Sequence, residues 1–431
     1  MSQAWVGPVH DLVGIGFGPS NLGLAIALEE QAAPLSVRFV ERQEAFGWHR
    51  GMLLEDATMQ ISFLKDLVTL RDPTSSFSFL SYLKDRGRLV DFINYGSAFP
   101  TRLEFHDYLE WSAARFADRV DYATSVERVA AVPDDPSVVD VHTSAGTVLR
   151  TRNVVLATGL QPHLPDGVRT GERVWHSRDL LTRIGSVTDP RRVIVVGAGQ
   201  SAAETVDHLH RTFPDAEVCA VFSRYGYSPA DDSSFANRVF DPDAVDDFFD
   251  APADVKDLIL GYHANTNYSV VDPELIESLY RRHYHEKVSG HERLRFLNVS
   301  RVADAVPVGD ATGEPVVDLV IESLLDGRRE VVTADLVVYA TGYRPSDPRQ
   351  LLGGLVDSCV RDEAGRLDIG RDYRVRTAAE LTAGIYLQGP TERTHGLSST
   401  LLSNVAVRAG EIAASIVARS GAAAARPASL V

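Results

Sequence analysis

His10-Asp11-Leu12-Val13-Gly14-Ile15-Gly16-Phe17-Gly18-Pro19-Ser20-Asn21-Leu22 is the stretch from which the architecture can be read. A short apolar run enters a turn built on Gly14, Gly16 and Gly18, and residues 21–30 continue with helical spacing. A buried strand that runs into glycine and opens a helix begins a β-α-β unit. Glycines there let the backbone approach a pyrophosphate, and free N–H groups at the helix start supply positive potential for it. Residues 36–41 form the next strand-like run and end at Glu41, 25 residues beyond Gly16. A carboxylate at that spacing accepts hydrogen bonds from ribose hydroxyls. The third glycine position of the motif is occupied by Asn21.

The pattern recurs downstream. Residues 192–196 run into Gly197-Ala198-Gly199-Gln200-Ser201, residues 202–211 are helical in spacing, and the strand-like run 217–223 ends at Ser223 and Arg224 in place of an acid. That ending leaves room and charge for a ribose 2′-phosphate and favours NADPH over NADH. The plainer alternative is a surface arginine paired with Asp231 or Asp232. A third apolar run, 153–156, enters Ala157-Thr158-Gly159, and a similar turn, Ala340-Thr341-Gly342-Tyr343, comes later. Both fit strand ends where the chain crosses between two domains. The fold class expected is α/β, with two Rossmann-like dinucleotide-binding domains. Two such folds imply electron transfer between two nucleotides, with FAD resident in the first and NADPH exchanging at the second.

Bulk properties bound the rest. The 431 residues, 44% of them hydrophobic, suffice for two or three domains. With 59 acidic against 43 basic residues the formal charge is −16, which disfavours nucleic acid and anionic membranes as partners. Two separated cysteines, Cys219 and Cys359, suggest neither disulfides nor a redox pair and suit a reducing cytoplasm. Nor does the chain show a secretory leader or a long apolar run. His283 and His285 fall on different faces of a helix and are expected to be solvated, so no metal site is expected. The segment 231–293, with helical runs at 253–262 and 273–285, reads as a small, mainly helical substrate subdomain. The expected division is then 1–165 for the first part of the FAD domain, 166–230 and 294–334 for the NADPH domain, 335–419 for the second part of the FAD domain, and 420–431 for a flexible tail.

Further motifs narrow the class. They are Phe46-Gly47-Trp48-His49, Met59-Gln60-Ile61-Ser62-Phe63-Leu64-Lys65-Asp66-Leu67, Phe99-Pro100-Thr101-Arg102-Leu103-Glu104-Phe105-His106-Asp107-Tyr108-Leu109, and Thr394-His395-Gly396-Leu397-Ser398 leading to Leu401-Leu402-Ser403. With Asn21 and with Asp335 ahead of the second Ala-Thr-Gly turn, they make the chain resemble the N-hydroxylating flavin monooxygenases, the L-ornithine N5- and L-lysine N6-monooxygenases of siderophore biosynthesis. The resemblance runs from Asp11 to about Ile412, and Asp91-Phe92-Ile93-Asn94 and Phe105-His106-Asp107-Tyr108 resemble the ornithine branch more than the lysine branch.

The resemblance implies FAD contacts at Gly14, Gly16, Gly18, Pro19, Asn21, Glu41, Trp48, His49, Gln60, Val126, Thr400 and Leu401. It implies NADPH contacts at Gly197, Gly199, Gln200, Ser201, Ser223, Arg224, Asn267, Tyr268 and Ser269, and substrate contacts at Lys65, Asn237, Asn267 and Ser403. Gln60, Arg102, Asn267 and Ser403 would position reactants, with no acid or base required. The activity implied is N5-hydroxylation of L-ornithine through a C4a-hydroperoxyflavin formed from O2, feeding a hydroxamate siderophore or related product, in a homotetramer. Hydroxylation of L-lysine or a diamine is the alternative within the family; a disulfide reductase and a non-catalytic nucleotide sensor are those outside it. From the residues alone, Lys65 also reads as an ion-pair partner of Asp66, Arg102 as a partner of Glu104, Asn237 and Asn267 as turn formers, and Trp48 and Phe63 as core aromatics.

Overall fold

A computed structural model describes residues 7–32, 34–266, 268–311 and 313–424. Two five-stranded parallel sheets organise them. In the first, Gly384–Leu387, Asn153–Leu156, Leu12–Ile15, Val37–Val40 and Val120–Asp121 lie side by side in that order. Both faces are covered, which is why these strands are continuous apolar runs and do not alternate. On one face the helices Pro19–Glu30 and Val405–Ala424 share a core of Leu12, Leu24, Leu28, Ile412 and Ile416. On the other, Val13, Ile15 and Val154 meet Val129, Val139 and Val141. Those last three belong to a sheet that the sequence did not announce, in which Val126–Val132, Asp135–Thr143 and Val148–Thr151 run antiparallel and Val9–His10 adds a parallel edge.

The second sheet orders Val174–His176, Leu336–Tyr339, Arg192–Val196, Glu217–Val221 and Leu294–Leu297, again all parallel. Helices Gln200–Thr212 and Pro273–Ser289 cover one face through Ala202, Val206, Leu209 and Leu279. A three-stranded antiparallel sheet, Ser300–Gly309, Pro315–Ser323 and Arg329–Ala334, covers the other. The return to the first domain, expected at 335, comes later. Leu336–Tyr339 lies between Val174–His176 and Arg192–Val196, buried along its whole length, and removing it would split the second sheet. The crossing is made after it, where Tyr343–Pro345 pairs antiparallel with Leu160–Pro162. Each crossing strand follows an Ala-Thr-Gly turn whose glycine has positive φ, 69° at Gly159 and 81° at Gly342.

Between the second sheet's strands Glu217–Val221 and Leu294–Leu297 the described residues include the α-helices Pro242–Asp250, Ala253–Tyr262 and Pro273–Ser289. The last runs four residues past the expected end and stops at Gly290, which takes the left-handed conformation that caps helices without steric cost. Its His283 is not solvated: Nδ1 contacts the Leu294 carbonyl at 2.8 Å and the ring packs edge-on against Phe296. His285 is exposed. Among the described residues no group of His, Cys, Asp and Glu could hold a metal ion, and no helix is long and apolar enough to cross a membrane.

After Gly384–Leu387 the chain folds into short turns that carry His395 into the interior. Its ring stacks on Tyr373 with centroids 3.9 Å apart, and Nε2 donates to the Arg371 carbonyl at 3.2 Å. Burial lowers its pKa to about 4, and the charges of Arg371, Arg408 and Lys256 act in the same direction. Below pH 6.5 the unfolded chain takes up a proton that the folded chain refuses until about pH 4, so this contribution to stability is lost as pH falls from 6.5 to 4. The loss amounts to about 3 kcal/mol. Denaturant unfolding should show His395→Gln less stable than wild type at pH 7, with the gap closing by roughly that amount at pH 4. A gap independent of pH would contradict a buried neutral imidazole.

Candidate functional site: two dinucleotide turns facing a shared seam

Gly16 has φ of 82°, and a Cβ there would lie 2.5 Å from the Ala157 carbonyl oxygen, so the turn admits only glycine. Gly18 begins the helix Pro19–Glu30 in extended conformation, with no side chain capping the helix start. A Cβ on Gly18 would meet no atom within 4 Å. Open space over uncapped N–H groups is what a diphosphate requires. Asn21 is compatible with the third glycine position because its side chain folds back: Nδ2 donates to the Gly16 carbonyl at 2.7 Å, and Oδ1 accepts from Gln388 at 3.0 Å. Glu41 accepts from the N–H of Phe17 (2.7 Å) and of Gln43 (2.9 Å), fixing its carboxylate beside the turn. Its remaining lone pairs are available to a ribose. The backbone of Ala123 and Thr124 bonds to Gln43 and Glu41, bringing Val126 to the same edge.

Trp48 donates its backbone N–H to His106 Nε2 at 3.3 Å and packs edge-on against His49. His49 is left-handed, with φ of 50°, and meets Tyr343 of the crossing strand, which in turn faces His176. His49 therefore stands at the seam between the domains, while Trp48 beside it packs on the core through Phe105, as Phe63 does through Phe79 and Phe92. Gln60 is exposed, Thr400 and Leu401 are half-buried, and Ser403 is buried in the 3-10 turn Leu402–Asn404.

The second turn repeats the construction. Gly197 has φ of 144°, and a Cβ there would lie 2.3 Å from the Ala340 carbonyl oxygen. Gly199 opens the helix Gln200–Thr212, again without a side-chain cap, which leaves Ser201 in an uncapped first turn. Ser269 closes over Gly199, its Cα 3.4 Å from where a Cβ would be. Arg224 lies beyond the end of Glu217–Val221, and its Nη1 donates to the Ser269 carbonyl at 2.9 Å. Arg224 is exposed, as the plainer expectation had it, but neither Asp231 nor Asp232 pairs with it among the described residues. Ser223 is exposed beside it. Tyr268 hydrogen-bonds the Glu392 carboxylate, tying this loop to the turns around His395. Asn267 lies outside the described residues.

Lys65 makes no ion pair with Asp66. That carboxylate is consumed by the N–H groups of Val68, Thr69 and Phe79 and the hydroxyl of Thr69, at 2.6–2.9 Å. The Lys65 ammonium instead stands 6.0 Å from the centre of the Phe240 ring. Phe240 shares the short helix Ala236–Phe240 with Asn237, so the sequence's two substrate candidates come to one region. One amide proton of Asn237 goes to the Asp232 carbonyl at 2.7 Å.

Arg102 does not pair with Glu104, which meets Arg88. Its guanidinium crosses the seam and grips Glu204 at 2.8 and 3.0 Å, with a third bond to the Met52 carbonyl. Glu204 also accepts from Gln200 at 2.9 Å, and Gln200 accepts from the N–H of Asp272 at 2.8 Å. Glu204 carried no signal in the sequence beyond its place in the helix.

Two glycine-capped helix starts, each at the carboxyl end of a parallel sheet, define an oxidoreductase of the two-dinucleotide-fold class. Residues 8–345 match the L-lysine 6-monooxygenase/L-ornithine 5-monooxygenase family. An L-ornithine N(5)-monooxygenase of Burkholderia cepacia is 42% identical over 90% of this chain and 90% of its own length. The ornithine N-hydroxylase of Kutzneria sp. 744, in a complex with reduced FAD, NADP+ and L-ornithine, is 49% identical with a TM-score of 0.93, over 96% of this chain and 100% of that one. L-lysine 6-monooxygenase of Pseudomonas syringae is more distant, at 33% identity and a TM-score of 0.82 over 94% of this chain and 99% of its own. The chain belongs to the L-lysine 6-monooxygenase/L-ornithine 5-monooxygenase family.

Removing one partner of a buried ion pair strands the other, which costs about 3–5 kcal/mol. Side chains 14% and 6% exposed put Arg102 and Glu204 in that regime. Arg102→Met and Glu204→Gln should each lower unfolding free energy by about 3 kcal/mol, and the double variant by clearly less than the sum. Single variants within about 0.5 kcal/mol of wild type in urea unfolding would show that the pair holds nothing.

Proposed function

We propose that this protein hydroxylates the N5 amine of L-ornithine, with FAD at the first glycine turn and NADPH at the second. The observation that carries the reading is the Lys65 ammonium, left without a carboxylate among the described residues beside the short helix that bears Asn237, in a chain of this family. One amine, one O2, one NADPH and one proton give hydroxylamine, water and NADP+. Bound FAD, reduced by NADPH, supplies the electrophilic oxygen atom. The protein supplies position and exclusion of water.

Gly14, Gly16, Gly18, Pro19, Asn21 and Glu41 hold the adenine nucleotide, with Val126 alongside. Trp48, His49, Gln60, Thr400 and Leu401 line the flavin. Gly197, Gly199, Gln200, Ser201 and Ser223 take NADPH, Arg224 its 2′-phosphate, and Tyr268 and Ser269 its ribose side. Lys65 binds the carboxylate of the substrate, Asn237 and Asn267 fix its α-amino end, and Ser403 stands at the reacting amine. Arg102 keeps the second turn in register with the first, through Glu204 and Gln200. The side-chain amine has an ordinary pKa near 10.4, and desolvation between the two nucleotides favours its neutral, nucleophilic form. A hydroxamate siderophore or a related hydroxylamine-derived product is the destination of the hydroxylated amine. The same reading makes the protein a cytoplasmic homotetramer; the buried, unpaired Cys219 and Cys359 suit that compartment.

Replacing Lys65 separates substrate binding from structure. A charge-assisted bond to a carboxylate is worth about 1.5–3 kcal/mol, roughly tenfold to a hundredfold in affinity. Lys65→Ala should raise KM for L-ornithine by about that factor while FAD content and ornithine-free NADPH oxidation stay near wild type. It should also release more hydrogen peroxide per NADPH, because a misplaced amine does not intercept the oxidant. Turnover of putrescine, which has no carboxylate, should not change further. An unchanged KM, with FAD or thermal stability lost instead, would overturn the substrate role.

A further inference from the structure

Arg408 projects from the helix Val405–Ala424 into the interior of the first domain, 2% exposed. Its guanidinium donates to the carbonyls of Ser399 (2.8 Å) and Ser398 (3.3 Å), to Gln388 Oε1 (3.4 Å) and to Ser20 Oγ (3.4 Å). Every one of these acceptors is neutral. Glu411, on the same helix, is gripped by both terminal nitrogens of Arg371 at 2.8 Å. Among the described residues no carboxylate hydrogen-bonds Arg408, and the nearby charge of Glu411, already shared with Arg371, offsets it only in part. Burial pulls its pKa down, yet a guanidinium does not give up its proton in a protein. A charge moved out of water costs several kcal/mol unless an opposite charge lies close by.

The surroundings show where that opposite charge belongs. Ser20 is in the first turn of Pro19–Glu30, whose uncapped start and open space at Gly18 form the diphosphate cradle. Gln388 donates to the Ser20 carbonyl (3.3 Å) and to Asn21 Oδ1 (3.0 Å), and Asn21 buttresses Gly16. Arg408 thus stands one layer behind the cradle, connected to it by two short relays. We infer that Arg408 is a buried counter-charge for the diphosphate of the flavin nucleotide, a positioning residue that acts through Ser20 and Gln388. Because the same guanidinium holds the Ser398 and Ser399 carbonyls, nucleotide binding and the placement of Thr400 and Leu401 are linked. The inference rests on placing FAD at the first glycine turn.

The test uses the full-length protein, stripped of flavin and titrated with FAD, as wild type, Arg408→Gln and Arg408→Lys. Arg408→Gln is expected to melt no lower than wild type without FAD, because a buried charge with no bonded carboxylate is gone. It should bind FAD at least about tenfold more weakly, the scale of a charge-assisted contact. Arg408→Lys keeps the charge but not the fork, so it should lose less than about tenfold and clearly less than Arg408→Gln, and NADP+ affinity at the second turn should be unchanged in both. A plain packing role predicts the reverse: flavin-free Arg408→Gln destabilised, FAD affinity unmoved. That result, or a Lys variant as weak as the Gln variant, overturns the counter-charge. If Arg408→Gln does not fold, the Lys variant decides, with a tenfold loss counting against. Wild type that takes up no FAD at all would instead remove the functional reading, and the counter-charge with it.

Discussion

The guanidinium of Arg102 meets the carboxylate of Glu204 across the seam of the molecule, and that contact ties the second nucleotide turn to the first domain. Arg102 begins the helix Arg102–Ala113 of the first domain, while Glu204 lies in the first two turns of the helix that starts at Gly199. From Glu204 the network continues to Gln200 and the Asp272 N–H. Asp272 in turn caps the helix Pro273–Ser289 with its side chain and follows the loop that carries Tyr268 and Ser269. One bidentate pair, shielded from water, therefore fixes a helix, a glycine turn and a loop relative to the first domain. An enzyme that passes a hydride from one bound nucleotide to another depends on such fixity, since ångström errors in reactant placement are expensive in rate.

Close backbone approach is the second constraint at the seam. Gly51 follows Arg50 in a 3-10 turn of the first domain, and a Cβ on it would overlap the Arg178 carbonyl of the second, so side chains are excluded there. The two nucleotide turns obey the same rule, each pressing a positive-φ glycine on the carbonyl of an Ala-Thr-Gly turn. Each Ala-Thr-Gly segment thus serves twice, as the floor of a nucleotide turn and as the start of a crossing strand.

Much of this was legible in the sequence because it is local. Gly14 to Asn21 and Gly197 to Ser201 encode strand, turn and helix within a dozen residues, and strands covered on both faces appear as unbroken apolar runs. The antiparallel sheets were not legible: Ser300–Gly309 is buried at only one residue, Ser300, and its weak alternation resembles a surface segment. The boundary at 335 failed because an Ala-Thr-Gly turn marks a strand end without saying which sheet the strand has just left. Pairing between distant side chains was equally hidden. Glu104 is two residues from Arg102 and Glu204 is over a hundred away, yet only the latter faces it once the helices are packed. Arg408 stands in no motif singled out in the sequence, and only the packed interior reveals it as buried. At Lys65 the sequence left an ion pair with Asp66 open, and backbone N–H groups close that option by filling the carboxylate's lone pairs.

The chemistry assigned to the seam differs from that of its alternatives in where the oxygen goes. A reductase or a nucleotide sensor built on the same two folds would place no oxygen atom on an amine. Incubating the protein with NADPH, heavy-isotope dioxygen and, side by side, L-ornithine, L-lysine, putrescine and cadaverine puts that difference into a mass spectrum. Hydroxylated L-ornithine carrying the heavy isotope on its side-chain nitrogen, in clear excess over the other three products, is the predicted result. Heavy isotope recovered only as hydrogen peroxide, or hydroxylation favouring another amine over L-ornithine, would contradict it.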